Sequence, residues 1–294
     1  GDWSSDVCSS DLWARRQLWN RSYSEIRRPN VPSCLLELLS HQNFNDMKYG
    51  NDPRFKRDTA RAIYKGIVRF VAWSNGYDPI IQPLAPTHVA VTHEGDGTAK
   101  LVWRPQEDPI EPTADPDGYV VYMSRDGKAF DNGRYVVNNS TTIEGLEEDT
   151  NYFFRVTAAN AGGESLPSRV VGMRWDADKE PILVVDGFDR ISGPAIVHER
   201  QARGFDRNAD PGVGYNYNLG LTGDQYDFDP DSAWVNDLES PGRGGSQNLY
   251  ENRLVLGNTF DHVIGHAMSL EELDQPFDSA TAEAFADGDI DLDY

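Results

Sequence analysis

The chain has 294 residues, 27 Lys+Arg against 48 Asp+Glu, and a formal net charge of -21. That length points to two or three domains rather than one core. No run approaches the roughly 18 apolar residues of a membrane span, and the acidic balance argues against a nucleic-acid-binding protein as a whole. Two cysteines, Cys8 and Cys34, are too few for a disulfide scaffold and leave the compartment undecided.

Residues 2–12 read Asp-Trp-Ser-Ser-Asp-Val-Cys-Ser-Ser-Asp-Leu. They resemble one frame of a common sequencing adapter translated as protein, so residues 1–12 are set aside as non-native. From Trp13 to Asn75 there are 12 Lys+Arg and 5 Asp+Glu, a net of +7, whereas residues 76–294 carry a net of -25. Such a break in charge marks separate modules, and Gly76, Pro79, Pro83 and Pro86 place a linker at 76–86.

Within the basic module, Val31–Leu39 is an apolar run after a proline, expected as a buried strand leading into the polar turn Ser40–Asn43. A helix is expected next, with Asp52 as N-cap and Pro53 in its first turn. Its apolar face would carry Phe55, Thr59, Ile63, Ile67, Phe70 and Val71, and its Lys and Arg residues would face solvent. Glu37 stands out as a carboxylate among Leu35, Leu36, Leu38 and Leu39, where burial is costly unless a cation or metal is near. A strand-end Glu paired with an arginine is an equal alternative on the residues alone.

Residues 20–71 resemble the C-terminal part of zinc-dependent N-acetylmuramoyl-L-alanine amidases. The match runs through Asn20-Arg21-Ser22, Arg28–Glu37, Asn43, Asp46, Asp52-Pro53-Arg54-Phe55 and Ala60–Ile67. The resemblance implies an α/β catalytic domain, peptidoglycan as partner, and Glu37 as the catalytic carboxylate that moves the proton of a zinc-activated water. It also implies that the zinc ligands, two His and a Glu, lie upstream of this segment. Zinc is thus expected in the parent protein, and neither a metal ligand nor a cofactor in this fragment, which should be inactive alone. His41 is the one histidine between Trp13 and Asn75, and a solvated turn is its expected place. The family has Gly-Phe two residues after the Glu, where this chain has Leu39-Ser40.

From Pro83 the pattern changes to short alternating runs, expected as seven strands of an antiparallel sandwich over 87–174. Trp103, Gly118–Tyr122, Leu146 and Thr150–Ala158 resemble the fibronectin type III family, including a buried tyrosine at Tyr152 bonded back to the Leu146–Glu148 turn. Such a fold serves as a spacer or binding module and names no chemistry.

Residues 181–294 are strongly acidic. Pro181–Phe188 reads as a buried first strand of a truncated α/β domain, flavodoxin-like or Rossmann-like, with Asp186-Gly187 where such domains place site residues. Arg253–Leu256 is expected as a strand, Thr259–Gly265 as a strand or short helix, and Ser279–Ala286 as a helix. His262 and His266 have the spacing of a helical metal pair but lack the Glu of a zinc protease signature. The runs Asp224–Asp231 and Asp287–Asp293 lack the calcium-loop pattern and are read as solvated faces. Gly212-Val213-Gly214 lacks the context of a phosphate loop.

Together these features suggest part of a bacterial peptidoglycan hydrolase, secreted, periplasmic or in the cell envelope, with no nucleic-acid partner and no membrane span. The alternative is a non-catalytic envelope or polysaccharide-associated surface protein with a degenerate amidase segment and binding modules of unknown ligand.

Overall fold

A computed structural model of the chain describes residues 22–187, 192–200, 202–210, 212 and 261–289, together with the strand backbones at 219–221, 224–225, 246–247 and 254–256. The adapter-like residues 1–12 lie outside this set. The chain divides into two compact units after Ser40. Among the described residues, no helix is long and apolar enough to cross a membrane.

In the first unit, residues 22–40 contain one short helix, α1 (Ser24–Arg27), and no strand. The expected strand at Val31–Leu39 does not form, and Leu35, Leu36 and Leu38 are exposed. The reason is that a strand is stable only when its amides and carbonyls meet a neighbouring ladder, and this unit has no second strand among its described residues.

The second unit opens with α2 (Phe44–Gly50), a helix the sequence reading did not anticipate. The Asn43 side chain caps it, accepting from the amides of Asn45 at 2.9 Å and Asp46 at 3.3 Å. Next comes α3 (Pro53–Asn75), which begins as expected: the Asp52 carboxylate accepts from the Arg54 amide at 2.9 Å, and Pro53 takes the first position. It ends at Gly76, whose φ of 75° is the left-handed conformation a helix stop favours.

The orientation of α3 is the reverse of the expected one. Arg61, Lys65 and Arg69 turn toward the module that follows, with Lys65 buried and Arg54 and Lys56 left exposed, while Ile67 is 57% exposed, Trp73 is 78% exposed, and Ile63, Phe70 and Val71 are also open. Arg61 donates to the Asp108 carboxylate at 2.8 Å from Nη2 and 3.0 Å from Nε, and Lys65, only 3% exposed, donates to the same oxygen at 2.7 Å. Arg69 Nη2 lies 2.5 Å from Glu111, and Lys65 Nζ lies 3.9 Å from it. Two carboxylates held behind the helix thus select its cationic face over its apolar one, because an unpaired buried charge costs more than an exposed side chain.

The stretch 76–86 is packed rather than a free tether. Ile81 is fully buried, Arg61 donates to the Gln82 carbonyl at 3.2 Å, and Asn160 Nδ2 donates to the Ile81 carbonyl at 2.9 Å.

Eight strands follow: β1 (Thr87–Gly95), β2 (Thr98–Arg104), β3 (Gly118–Ser124), β4 (Arg134–Val136), β5 (Ser140–Ile143), β6 (Tyr152–Asn160), β7 (Gly163–Glu164) and β8 (Val171–Met173). One sheet runs β4-β3-β6-β7 with β8 on β6, and facing it lies β5-β2-β1. Alternation fills the space between them: Val89, Val91, Leu101, Trp103, Tyr119, Val121, Tyr152, Phe154, Val156 and Met173 form one core. The Tyr152 hydroxyl accepts from the Glu147 amide at 2.9 Å, as the sequence suggested.

The five-residue strand that completes this sheet comes from far along the chain. It follows β9 (Ile182–Asp186), a hairpin of β10 (Ala195–His198) and β11 (Arg203–Asp206), the short strands β12 (Leu219–Leu221), β13 (Asp224–Gln225), β14 (Ser246–Gln247) and β15 (Leu254–Leu256), and helix α4 (His262–Glu272). β12 pairs with β15 and β13 with β14. The completing strand, β16 (Phe277–Thr281), is antiparallel to β1 and parallel to β9, extending the sandwich sheet to β5-β2-β1-β16-β9; α5 (Ala282–Ala286) closes the described chain. Ser279–Thr281, expected in a helix, are strand because pairing on both sides outweighs local helix propensity. β9 makes the expected parallel pair but is the sheet's last strand, so Ile182 and Val185 are partly exposed rather than buried.

Tyr152→Phe should destabilise the second unit by about 1–2 kcal/mol in chemical denaturation, since the Glu147 amide loses its acceptor. For α3, burial works to raise the Asp108 pKa, but hydrogen bonds from Lys65 and Arg61 and the Lys65 charge outweigh it and hold the carboxyl below the usual carboxylate value. A depressed pKa contributes stability above the unfolded value of about 4 that is lost as pH falls through the folded value. The Arg61 side-chain Nε–H resonance should therefore stay in its bound position from pH 8 to 5 and move to that of free arginine only below about pH 4. Asp108→Ala should weaken the same docking at neutral pH by about 3 kcal/mol.

Candidate functional site

Glu37, the one candidate catalytic residue in the sequence, lies in the first unit on an exposed stretch without regular structure. Solvent rather than an apolar cleft surrounds it, and Leu39 close by has a φ of 61° that a strand would not tolerate. His41 is an exposed turn residue, as expected.

A zinc centre needs three protein ligands and an open position. Among the described residues, one grouping of three His, Cys, Asp or Glu lies within ligand distance, Asp149, Asp176 and Asp274, and it includes neither Glu37 nor His41. Cations of the protein already occupy its centre. Arg174 Nη2 lies 3.0 Å from both Asp149 and Asp274, and Lys179 Nζ lies 2.9 Å from Asp176 and bonds Asp274 as well. Hydrogen bonds from Lys179 lower the pKa of Asp176 and Asp274, and the two carboxylates raise that of Lys179. The group is a staple from the turn before β6 to the turn after α4. The amidase resemblance puts its zinc ligands upstream of residue 20, and the described residues hold no further grouping that would take zinc.

His262 and His266 both sit exposed on α4. Asp287 and Asp289, read as solvated, are instead ion-paired: Arg104 bonds both, and His88 Nε2 lies 3.2 Å from Asp287. Asp291 and Asp293 lie outside the described residues, as do the side chains of the Asp224–Asp231 run. Val213 and Gly214 are also outside them.

The remaining cluster stands at the carboxyl ends of the parallel pair, where open α/β sheets form ligand crevices. Asp186 ends β9, Thr281 ends β16 beside it in register, and Arg169 Nη1 comes within 3.5 Å of the Asp186 carboxylate. All three are largely buried. Asp186 was visible in the sequence from its place after an apolar run. Arg169 and Thr281 were not, since one precedes β8 and the other lies in a stretch with no α/β signature. Among the described residues the arrangement supplies a charge pair and a hydroxyl, which can position polar groups.

Comparison with known proteins identifies one module. Residues 84–174 match the fibronectin type III domain model. Pikachurin of Rattus norvegicus is 31% identical over 170 residues, covering 55% of this chain and 16% of pikachurin. Roundabout homolog 1 of Mus musculus is 32% identical over 96 residues, covering 32% of this chain and 6% of that protein. The matched stretches therefore span less than a fifth of either relative. Among solved structures, the fibronectin type III domain of human fibronectin type III domain containing protein 3 is 26% identical, covers 32% of this chain and 87% of that one, and has a TM-score of 0.27. The family match and the paired sheets around Trp103 and Tyr152 agree: residues 84–174 are a fibronectin type III domain.

Proposed function

We propose that this chain is part of a secreted, periplasmic or envelope-bound bacterial peptidoglycan hydrolase. In it the fibronectin type III domain is a rigid connector between an amidase-like segment and an acidic α/β region. The observation that carries the connector role is that segments on both sides are built into the sandwich, α3 by buried ion pairs and β16 by a shared sheet. The hydrolase part rests on the motif resemblance through Arg28–Glu37, Asp52–Phe55 and Ala60–Ile67.

In this reading the bond cut joins N-acetylmuramic acid to L-alanine. Glu37 takes a proton from the attacking water and passes it to the leaving amine, which requires a carboxylate rather than its amide. Zinc belongs to the parent protein. A second reading, a non-catalytic surface protein that binds glycans or partners, is favoured by the exposure of Glu37.

One experiment separates them. In the full-length parent protein, Glu37→Gln should lower kcat for release of stem peptide from purified peptidoglycan by about 10² to 10⁴-fold, with Glu37→Asp intermediate and the fold unchanged by circular dichroism. Parent protein without measurable cleavage would favour the binding reading instead, and a Glu37→Gln variant within threefold of an active wild type would remove Glu37 from the catalytic role.

A further inference from the structure

A fibronectin-type sandwich leaves an open side between its first and last strands, here β1 and β8. The segment Phe277–Thr281 fills it, and every one of its five residues is buried. Its contacts are specific at successive positions rather than those of a generic ladder.

Phe277 exchanges two backbone hydrogen bonds with Arg174, both 2.9 Å, and its ring enters an apolar cluster with Phe153, Val170, Val263 and Ala267. Asp278, 1% exposed, accepts from the His93 amide with both carboxylate oxygens at 3.1 Å. The register of β16 on β1 reaches only to Val91↔Ser279, so this carboxylate serves an amide beyond the ladder's end. Ser279 bridges the two sheets: its hydroxyl accepts from the Gly172 amide at 2.6 Å and donates to the Gly172 carbonyl at 2.7 Å. Gly172 has no room for a side chain, since a Cβ there would come 2.8 Å from the Phe153 ring, so its two backbone groups face the groove bare. Ala280 packs on Ala90 and Ala284.

We propose that the β1–β8 edge is a strand-acceptor site that reads an extended segment of pattern aromatic, carboxylate, small hydroxyl, alanine. Its resident ligand is the chain's own Phe277–Thr281, and the site takes the same segment supplied in trans. The backbone pairing gives adhesion that any extended peptide would share. Selectivity comes from the hydroxyl and the carboxylate, because a segment lacking them leaves the Gly172 and His93 backbone groups buried and unpaired.

The test uses the full chain with Phe277→Asp and Ser279→Asp together, which should vacate the groove, and a synthetic peptide of residues 275–286 as probe. Amide hydrogen exchange of Gly172 and His93 reports the groove, and that of Val156, which donates to the buried Ser168 hydroxyl at 3.0 Å, reports the sandwich. The double variant should lose at least tenfold of the protection at Gly172 and His93 while Val156 keeps its own. Saturating peptide should restore both to within threefold of wild type, and a peptide carrying Ser279→Ala should not. No rescue by the wild-type peptide, or equal rescue by both, overturns the proposal. If the double variant also loses Val156 protection, the single variant Ser279→Ala in the full chain decides. At least tenfold faster exchange at Gly172 with Val156 unchanged supports the site, and unchanged Gly172 exchange overturns it.

Discussion

The burial of β16 between β1 and β9 is the constraint on which the second unit depends. An open sheet edge presents a row of unpaired amides and carbonyls that must be covered or blunted. Here a strand from more than a hundred residues downstream covers it, so the sandwich and the acidic region share one sheet. The same arrangement explains why β6 is buried on both faces. Tyr152, Phe154 and Val156 point into the sandwich, and Phe153 between them points out into the cluster under α4. It also explains a run of buried polar groups, Asp278, Ser279 and Thr281, that would be out of place in an ordinary core strand. Asp278 and Ser279 face backbone atoms that no regular ladder reaches.

The second junction is built from opposite materials. Asp108 and Glu111 precede or open the short turn before β3, where their backbone positions are fixed by the sandwich, and three cations of α3 converge on them. Desolvating so many charges is expensive, and the network is favourable because nearly every charge meets an opposite one at hydrogen-bond distance. The apolar stripe of α3 is left bare as a consequence. Ile63, Ile67, Phe70, Val71 and Trp73 form a larger exposed apolar set than scattered surface residues would explain.

Legibility in the sequence followed the range of the interactions. The sandwich was readable because its signals are local: alternation within each run, turn residues between runs, and a tyrosine five residues from its hydrogen-bond partner. The start of α3 was readable for the same reason, since Asp52 caps an amide two residues on. The partners of Lys65 were not, because Asp108 is 43 residues away and a Lys/Arg face has the same composition whether it meets water or carboxylates. Ser279–Thr281 misled most: within the alanine-rich run Ser279–Ala286 they suggest a helix, and only pairing with β1 and β9 makes them a strand. Of the candidate site, Asp186 was marked by the apolar strand before it, whereas its neighbour Arg169 lies in another module. Glu37 was singled out by its apolar neighbours, yet those leucines are exposed, because apolar composition makes a buried strand only where a second strand meets it.

The two junctions should respond to solution conditions in different ways. Ion pairs at α3 lose force as carboxylates protonate and, at their more exposed members such as Arg69, as salt screens them. The β16 strand rests on backbone pairing, a fully buried phenyl ring, one serine hydroxyl and the Asp278 carboxylate, and ion pairs of Arg174 with Asp274 and of Arg104 with Asp287 flank it on either side. The α3 joint rests on ion pairs, whereas the β16 joint adds a shared ladder and a buried ring to its own, so acid should loosen the N-terminal helix before it separates β16 from β1. Because the α3 cations would then be solvated together with an already open apolar stripe, release costs little further apolar exposure. The energy holding the helix is concentrated in Asp108 and Glu111 rather than spread over its surface.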